Sequence, residues 1–452
     1  MQLTVQFDKT VGAVKPMHAT NNGPAFQLRN YEAGTTNVTN CNKELFEKAG
    51  IPYGRTHDSS FCAVYGLDHT VDVHLIFPNF DADENDPASY DFACTDHYMK
   101  CFEMVGTKVF YRLGSRIEHE VKKYGTLPPK DFHKWARICE HIIRHYNEGW
   151  ADGFHMNIEY WEIWNEPELE PDDSTNKRCW GGTKKEFFEF YHVAATHLKT
   201  CFPHLKIGGP AIAGDMDWAE EFLAQLKAPL DFFSWHRYAH LIERITTRTQ
   251  EIRAMLDRHG FKDTDSILNE WNYVLDWHGE KMLYSRRMQK GIKGAAFTLS
   301  AMLALQKQPL DMLMYYDASP ALTWNGIFDP IAVGIPLKGY FPFPIFNEMY
   351  RLGQAVECAD GENVYVGAAK NGNEAAVVFS HFNDCDDAEP QSVTLNLKGF
   401  GFAEGTEVEV YLLDETHDLE LVQKFVYYSD RYSKELLLPN FTSYLFKLKQ
   451  KA

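Results

Sequence analysis

"EYWEIWNEPELEP", Glu159 to Pro171, sets five carboxylates beside two tryptophans and a tyrosine. Its opening, "EYWEIW", has the look of a buried strand, and Asn165-Glu166-Pro167 follows at once. Acidic residues that end an apolar strand can cap a helix, hold a metal or carry out proton chemistry. The rest of the chain chooses among the three.

The 452 residues are enough for a large barrel plus a smaller unit, each with its own core. A formal net charge of -18 argues against nucleic acid or an anionic membrane as partner, because phosphate binding needs a basic surface. The same balance disfavours a highly sulfated polysaccharide, so a neutral small-molecule substrate fits best. The nine cysteines are scattered, with no C-x-x-C pair, and read as reduced thiols in a cytoplasmic protein. The opening "MQLTVQFDKTVG" has no basic segment followed by an apolar one, so no export signal is expected. No stretch has the length and apolarity of a membrane span.

Working outward from "EYWEIW", short apolar runs alternate with amphipathic stretches from about residue 14 to 350. "KELFEKAG" reads as a helix stopped at Gly50 and precedes the strand-like "IPYGR". Asp131 to Tyr146 has an Asp cap and a helical stripe of Phe132, Trp135, Cys139, Ile142, Ile143 and Tyr146. Strands are predicted in "TKVFYRLG", "LKIGGPAIA", "DFFSWHRY", "SILNEW" and "DMLMYYDAS", and one long helix from Tyr284 to Gln306. With a first strand near Val11 to Pro16, this makes eight strand-then-helix units, the count of an α/β (β/α)8 TIM barrel. An open doubly wound sheet fits less well, since no Gly-rich phosphate loop follows an early strand.

After about Gly353 the pattern changes to period-two alternation. "ENVYVGAAKNGNEAAVVFSHF" reads as two strands around Asn371-Gly372, and "SVTLNLKG", "TEVEVYLLD" and "SYLFKLKQ" alternate likewise. Residues 351–452 are expected to form an accessory β-sandwich, with 1–13 adding a strand.

Chemistry in such a barrel sits at the C-terminal ends of its strands. Glu166 falls just past the fourth predicted strand and Glu270, in "SILNE", just past the seventh, each preceded by an asparagine. A lone strand-terminal glutamate is more often a cap or a rim ion pair. Two of them, on strands able to face each other across the mouth and both flanked by tryptophan, suit glycoside hydrolysis. One protonates the leaving oxygen while the other attacks or activates water. Glu162 points deeper into the barrel than Glu166 and should be paired and structural.

These motifs carry a resemblance. "EIWNEPEL" is similar to the acid/base motif of clan A glycoside hydrolases, most closely glycoside hydrolase family 39, which includes β-xylosidases and α-L-iduronidases. "ILNEWNY" resembles its nucleophile motif, "GRTHD" its second-strand sugar motif with Arg55 and His57, and "FSWHRYA" its sixth-strand pattern with His236 and Tyr238. The resemblance implies a (β/α)8 barrel with an accessory β-sandwich and retention of configuration through a covalent glycosyl-enzyme. It also implies Glu166 as acid/base, Glu270 as nucleophile and Asn165 as the residue that binds the sugar 2-hydroxyl. Arg55 and Tyr238 would hold the nucleophile ionised. Two features depart from the pattern: Asp58 directly after His57, and the eighth strand's "YYDASPALTWNGIFD", in which Tyr316, Asp317 and Trp324 are expected to line the sugar subsite. An acid near the sugar disfavours a uronate and favours hydroxyl recognition.

No metal and no cofactor is expected: there is no H-E-x-x-H, and His141 and His145 flank a packed apolar stripe. G-x-S-x-G is absent as well. The expected activity is exo cleavage of short oligosaccharides, β-xyloside first, with α-L-arabinopyranoside and β-galactoside behind it. The insertions at Leu67–Asp91 and Pro167–Gly182 favour a walled pocket over an open groove. The rivals are an endo-acting glucanase and a non-catalytic carbohydrate-binding protein on the same scaffold.

Overall fold

The computed structural model describes residues 1–24, 26, 34, 41–57, 70–320 and 324–451. Eight parallel strands close into a barrel in chain order: β2 (Ala19–Asn21), β3 (Tyr53–Thr56), β4 (Lys108–Leu113), β5 (Tyr160–Ile163), β6 (Lys206–Ile212), β7 (Phe232–His236), β8 (Asp265–Trp271) and β9 (Met312–Tyr315). β9 returns to pair with β2 and completes the ring. The TIM barrel is therefore present, and each helix around it follows from a local rule. Asp131 accepts the Lys134 N–H at 3.0 Å and caps the helix Phe132–Glu148. Thr183 and Glu186 form a reciprocal capping box at the start of Lys184–Cys201. Gly50, at φ +58, ends the helix Lys43–Ala49 in the left-handed conformation that glycine adopts without strain.

Two expectations are corrected. The stretch Val11–Pro16 is not the first barrel strand. Residues up to Ala13 belong to β1 (Gln2–Ala13), where Thr10, Gly12 and Ala13 pair with Val356, Ala355 and Gln354 of the second sheet. The three-residue β2 takes the barrel position, too short and too buried to show a period. The single helix from Tyr284 to Gln306 is two, Gly279–Lys290 and Ile292–Leu305. They are parted at Gly291, whose extended backbone breaks the helical ladder.

Layers of side chains fill the barrel. Its floor is apolar: Ala19, Tyr53, Phe110, Phe232, Ile267, Met312 and Met314 pack together with Tyr160 beside them. Phe110 stacks on Tyr160 at 5.3 Å and meets Phe232 at 5.1 Å. Two residues further along six of the strands, hence on the same inward face, stand Asn21, Arg55, Arg112, Glu162, Ser234 and Asn269, all fully buried. Such a polar layer is tolerated only when its members satisfy one another. It is the bed on which the mouth of the barrel rests.

The second sheet has nine strands in the order β15-β14-β17-β12-β11-β10-β1-β13-β16. The strands not yet named are β10 (Gln354–Cys358), β11 (Val364–Asn371), β12 (Glu374–His381), β13 (Gln391–Lys398), β14 (Thr406–Leu413), β15 (Asp418–Tyr427), β16 (Arg431–Leu438) and β17 (Ser443–Gln450). All pairings are antiparallel except β1 with β13. The two edge strands, β15 and β16, are consecutive in the chain, and Phe425 stacks on Tyr432 across them at 5.0 Å. The sheet therefore curls until its edges meet and encloses its own apolar core, which includes Leu3, Phe7, Val377, Leu395 and Phe446. On its outer face Ala369, Ala376, Val378 and Leu445 join the barrel's core. Among the described residues no helix is long and apolar enough to cross a membrane.

Candidate active site

The site forms where strand geometry departs from regularity. Strict alternation along β8 would aim Asn269 inward and Glu270 outward. The register instead slips between β7 and β8: Trp235 pairs with Leu268, but His236 pairs with Glu270. The extra residue is a bulge that turns Glu270 into the mouth while Asn269 stays in the polar layer below. At the end of β5 the chain uses left-handed backbone. Trp164 has φ +76 and Glu166 φ +46, conformations that cost a side-chain-bearing residue strain and are held by their surroundings. The Glu166 N–H donates to the Ala211 carbonyl at 2.9 Å, and the Trp164 indole N–H to the Cys179 carbonyl at 2.8 Å.

Arg55 organises the layer beneath. Its Nε donates to Glu162 Oε2 (2.6 Å), Nη1 to Asn21 Oδ1 (3.0 Å) and Glu270 Oε1 (2.8 Å), and Nη2 to Asn165 Oδ1 (2.7 Å). Burial works against its charge, yet the Glu162 and Glu270 carboxylates raise its affinity for the proton overall. With the Asn165 oxygen held by Arg55, its amide NH2 is the end left to donate upward. Glu162, also bound by Asn269 Nδ2 at 2.5 Å, is spent within this network.

Above it, one oxygen of Glu166, one oxygen of Glu270 and a ring nitrogen of His236 all lie within 4.8 Å of one another. His236 Nδ1 shares a 2.7 Å hydrogen bond with Glu166 Oε1 and stands 3.5 Å from Glu270 Oε2. Tyr238 donates its hydroxyl to Glu270 Oε2 at 2.8 Å, and His57 Nε2 lies 3.3 Å from Glu270 Oε1. Burial lowers the His236 pKa to about 4 and holds that of His57 well below the usual imidazole range, so both rings are neutral at pH 7. Burial pushes Glu270 above the ordinary glutamate range, and Glu166 adds to this, while His236, Arg55 and Tyr238 pull it down. Glu166 keeps 15% of its side chain exposed against 6% for Glu270, so it is the carboxyl nearer to solvent.

This convergence of the motifs at one end of the barrel agrees with a family model, glycosyl hydrolases family 39, that matches residues 3–271. The chain belongs to that family. The matched span includes Arg55, His57, Asn165, Glu166, His236, Tyr238 and Glu270 and stops short of Tyr316, Asp317 and Trp324. A β-xylosidase of Geobacillus stearothermophilus is 27% identical over 294 residues, 57% of this chain. The matched region spans only 54% of that protein. A β-xylosidase of Caldicellulosiruptor saccharolyticus is 24% identical over 431 residues, covering 88% of this chain and 82% of the other. A glucosidase structure from Croceicoccus marinus shares the fold, with a TM-score of 0.81 at 21% identity over 100% of this chain and 99% of that one.

Beyond the family-matched span, Tyr316 and Trp324 join an aromatic band along one side of the mouth. His57 neighbours Tyr316 (ring centroids 5.9 Å apart), Tyr316 neighbours Tyr238 (6.2 Å), Tyr238 meets Trp277 (4.9 Å), and Trp277 meets Trp324 (5.2 Å). Arg286 covers the Trp324 ring at 4.8 Å. Asp317 is buried, and its Oδ1 accepts the Ser319 N–H at 2.5 Å. Asp58 lies outside the described residues, as do positions 67–69 of the first insertion. Sequence reasoning missed Trp277, in "VLDWHG" after β8, and Asn21, whose amide donates to the Asn269 carbonyl at 2.5 Å.

The set Glu166, His236 and Glu270 has donor types that suit a divalent cation. Arg55 already brings a guanidinium to 2.8 Å of Glu270 Oε1, and a second cation beside it would be repelled. A further set, Glu140, His197 and Cys201, is likewise engaged by Arg144 at 2.8 Å from Glu140.

Proposed function

We propose that this family 39 enzyme is a retaining, exo-acting glycoside hydrolase of β-xylosidase type, with Glu270 as nucleophile and Glu166 as acid/base. The observation that carries this reading is the approach of the two carboxylates, oxygen to oxygen, within 4.8 Å. Retaining enzymes hold the pair about 5–5.5 Å apart, whereas inverting ones leave roughly 6.5–9.5 Å for a water between them.

In the first step Glu270 attacks the anomeric carbon while Glu166 protonates the departing oxygen, leaving a glycosyl ester on Glu270. In the second, Glu166, now ionised, takes a proton from water as its oxygen attacks the same carbon, and the ester bond breaks. Asn165, oriented by Arg55, donates to the sugar 2-hydroxyl, a bond that strengthens as charge develops. The aromatic band supplies an apolar wall for the sugar face, with Tyr316 and Trp324 in it. Asp317 would complete the subsite. β-Xyloside is the favoured substrate because both curated relatives named above are β-xylosidases. The proposal assigns the chemistry to residues 14–350 and a supporting role to 351–452 with strand 1–13. Among the described residues no disulfide joins two cysteines, in keeping with a reducing, cytoplasmic setting.

The test is hydrolysis of aryl β-xyloside, α-L-arabinopyranoside, β-galactoside, β-glucoside and α-L-iduronide, with Glu270→Ala in parallel. NMR of the first-formed sugar reports its anomer. A retained anomer from the β-xyloside, lost in the variant, is the expected result. An inverted product overturns the mechanism, a different preferred glycoside overturns the sugar, and no hydrolysis in any arm favours a binding protein.

A further inference from the structure

From the accessory sheet, the connection after β12 reaches the end of the barrel that bears the site. The connection after β12 is braced from its own sheet: the Asn383 N–H donates to Asn440 Oδ1, and Asn440 Nδ2 donates to the Asn383 and Cys385 carbonyls, each at 2.9 Å. Between those anchors Asp384 crosses to the barrel. Its Oδ1 accepts the Tyr273 hydroxyl at 2.7 Å, and its Oδ2 shares a 2.7 Å hydrogen bond with His240 Nδ1. Lys293 Nζ lies 2.9 Å from Oδ1 and also donates to the Asp384 carbonyl at 2.6 Å. That buried ammonium is balanced on its far side by Asp386 at 2.7 Å, with the Tyr284 hydroxyl at 2.9 Å.

The two residues that Asp384 grips continue the two strands at the heart of the site. His240 is two positions beyond Tyr238, and Tyr273 is three beyond Glu270. Past the bulge the Arg237 N–H donates to the Glu270 carbonyl at 2.9 Å, and further out the chains are joined by the isolated bridge Ala239 to Tyr273, through the Ala239 N–H to the Asn272 carbonyl (3.3 Å) and the Val274 N–H to the Ala239 carbonyl (3.1 Å). The Tyr238–Glu270 hydrogen bond spans the same two strands one step below. A carboxylate bonded to both chains at 2.7 Å adds a charge-assisted side-chain tie beyond these few backbone bonds, where the two chains leave the barrel.

We propose that Asp384 is a positioning residue for the Glu270–Tyr238 pair, a clasp from the accessory sheet that sets the register of the two strands bearing them. The inference rests on the reading of Glu270 as nucleophile. It makes the second sheet part of the catalytic apparatus without any contact with the sugar.

The experiment compares Asp384→Ala, which frees both strands, Asp384→Asn, which keeps an acceptor for Tyr273, and Tyr273→Phe, which cuts one arm and leaves the core filled. Each is assayed on an activated aryl β-xyloside across pH, beside Glu270→Ala. The expected result is a fall in kcat of about 10- to 100-fold for Asp384→Ala, the scale of a small misalignment, with KM little changed. The acidic limb of kcat/KM should move to higher pH, because the Tyr238 hydroxyl is loosened from Glu270. The groups then still facing Glu270 are Arg55, His57 and His236, with Glu166 opposing. Asp384→Asn should recover most of the rate and Tyr273→Phe should show a smaller version of both effects. The inference is overturned if Glu270→Ala is dead while Asp384→Ala and Tyr273→Phe, both with native circular dichroism, keep the wild-type kcat and acidic limb. If Asp384→Ala does not fold, Tyr273→Phe alone decides. Activity surviving in Glu270→Ala removes the nucleophile reading, and the inference with it.

Discussion

Arg55 Nε and Glu162 Oε2 lie 2.6 Å apart, and neither side chain is exposed to solvent. Such a pair contributes little net stability over an apolar replacement, but removing one partner strands the other charge. Arg55→Met is therefore expected to cost about 3–5 kcal/mol in urea unfolding. Arg55→Met combined with Glu162→Leu should recover a good part of that loss. Equal denaturation midpoints for wild type and Arg55→Met would show that removing the guanidinium leaves no uncompensated buried charge.

The acidic limb of the pH profile reports Glu270, which must be ionised to attack. Its pKa is raised, first by burial and then by Glu166, so the rate should fall, on acidification, at a pH above the ordinary glutamate value. Replacing Glu166 by glutamine removes one of the raising charges. On an aryl glycoside whose leaving group needs no proton, Glu166→Gln should carry its acidic limb to lower pH than wild type. A limb that stays in place or moves upward would mean that the two carboxyls do not sense each other.

A carboxyl whose folded-state pKa is raised binds its proton more tightly folded than unfolded. Its contribution to stability is therefore largest when protonated and declines as pH rises through the folded pKa. Glu270→Gln removes that decline. The variant should be inactive yet unfold at a temperature at or above that of wild type at pH 7, with the difference shrinking on acidification. A lower melting temperature at neutral pH would show that the Arg55 contact outweighs the cost of burying the charge.

Trp277 is 47% exposed and stands edge-on to both Tyr238 and Trp324. Its exposure at a carbohydrate mouth fits a sugar-stacking face better than a core role. Trp277→Ala should leave the melting temperature unchanged and raise KM about tenfold, the equivalent of roughly 1.4 kcal/mol of lost contact. The steady-state comparison fails the idea if kcat falls while KM holds.

What the sequence revealed was what local pattern encodes. Glu166 and Glu270 were legible because each follows an apolar run, and Asn165 and Arg55 because they sit in short motifs at strand ends. The bulge that turns Glu270 inward left no such trace, since it arises from pairing with β7, a partner distant in the chain. β2 escaped because three buried residues carry no period, and the break at Gly291 because both flanking segments are helical. Asn21, Trp277 and Asp384 gain their meaning only from side chains far away in sequence, and nothing near them announces it.

The apolar floor of the barrel has a consequence for the order of events. Phe110, Tyr160, Phe232 and their neighbours pack the barrel beneath the polar layer, so what reaches Glu270 is expected to enter by the mouth. Under the double-displacement reading, the attacking water cannot wait behind the sugar. It must come through the space that the first product vacates. On that reading an alcohol in the same space competes with water for the glycosyl ester, and glycosyl transfer to added acceptors is expected alongside hydrolysis.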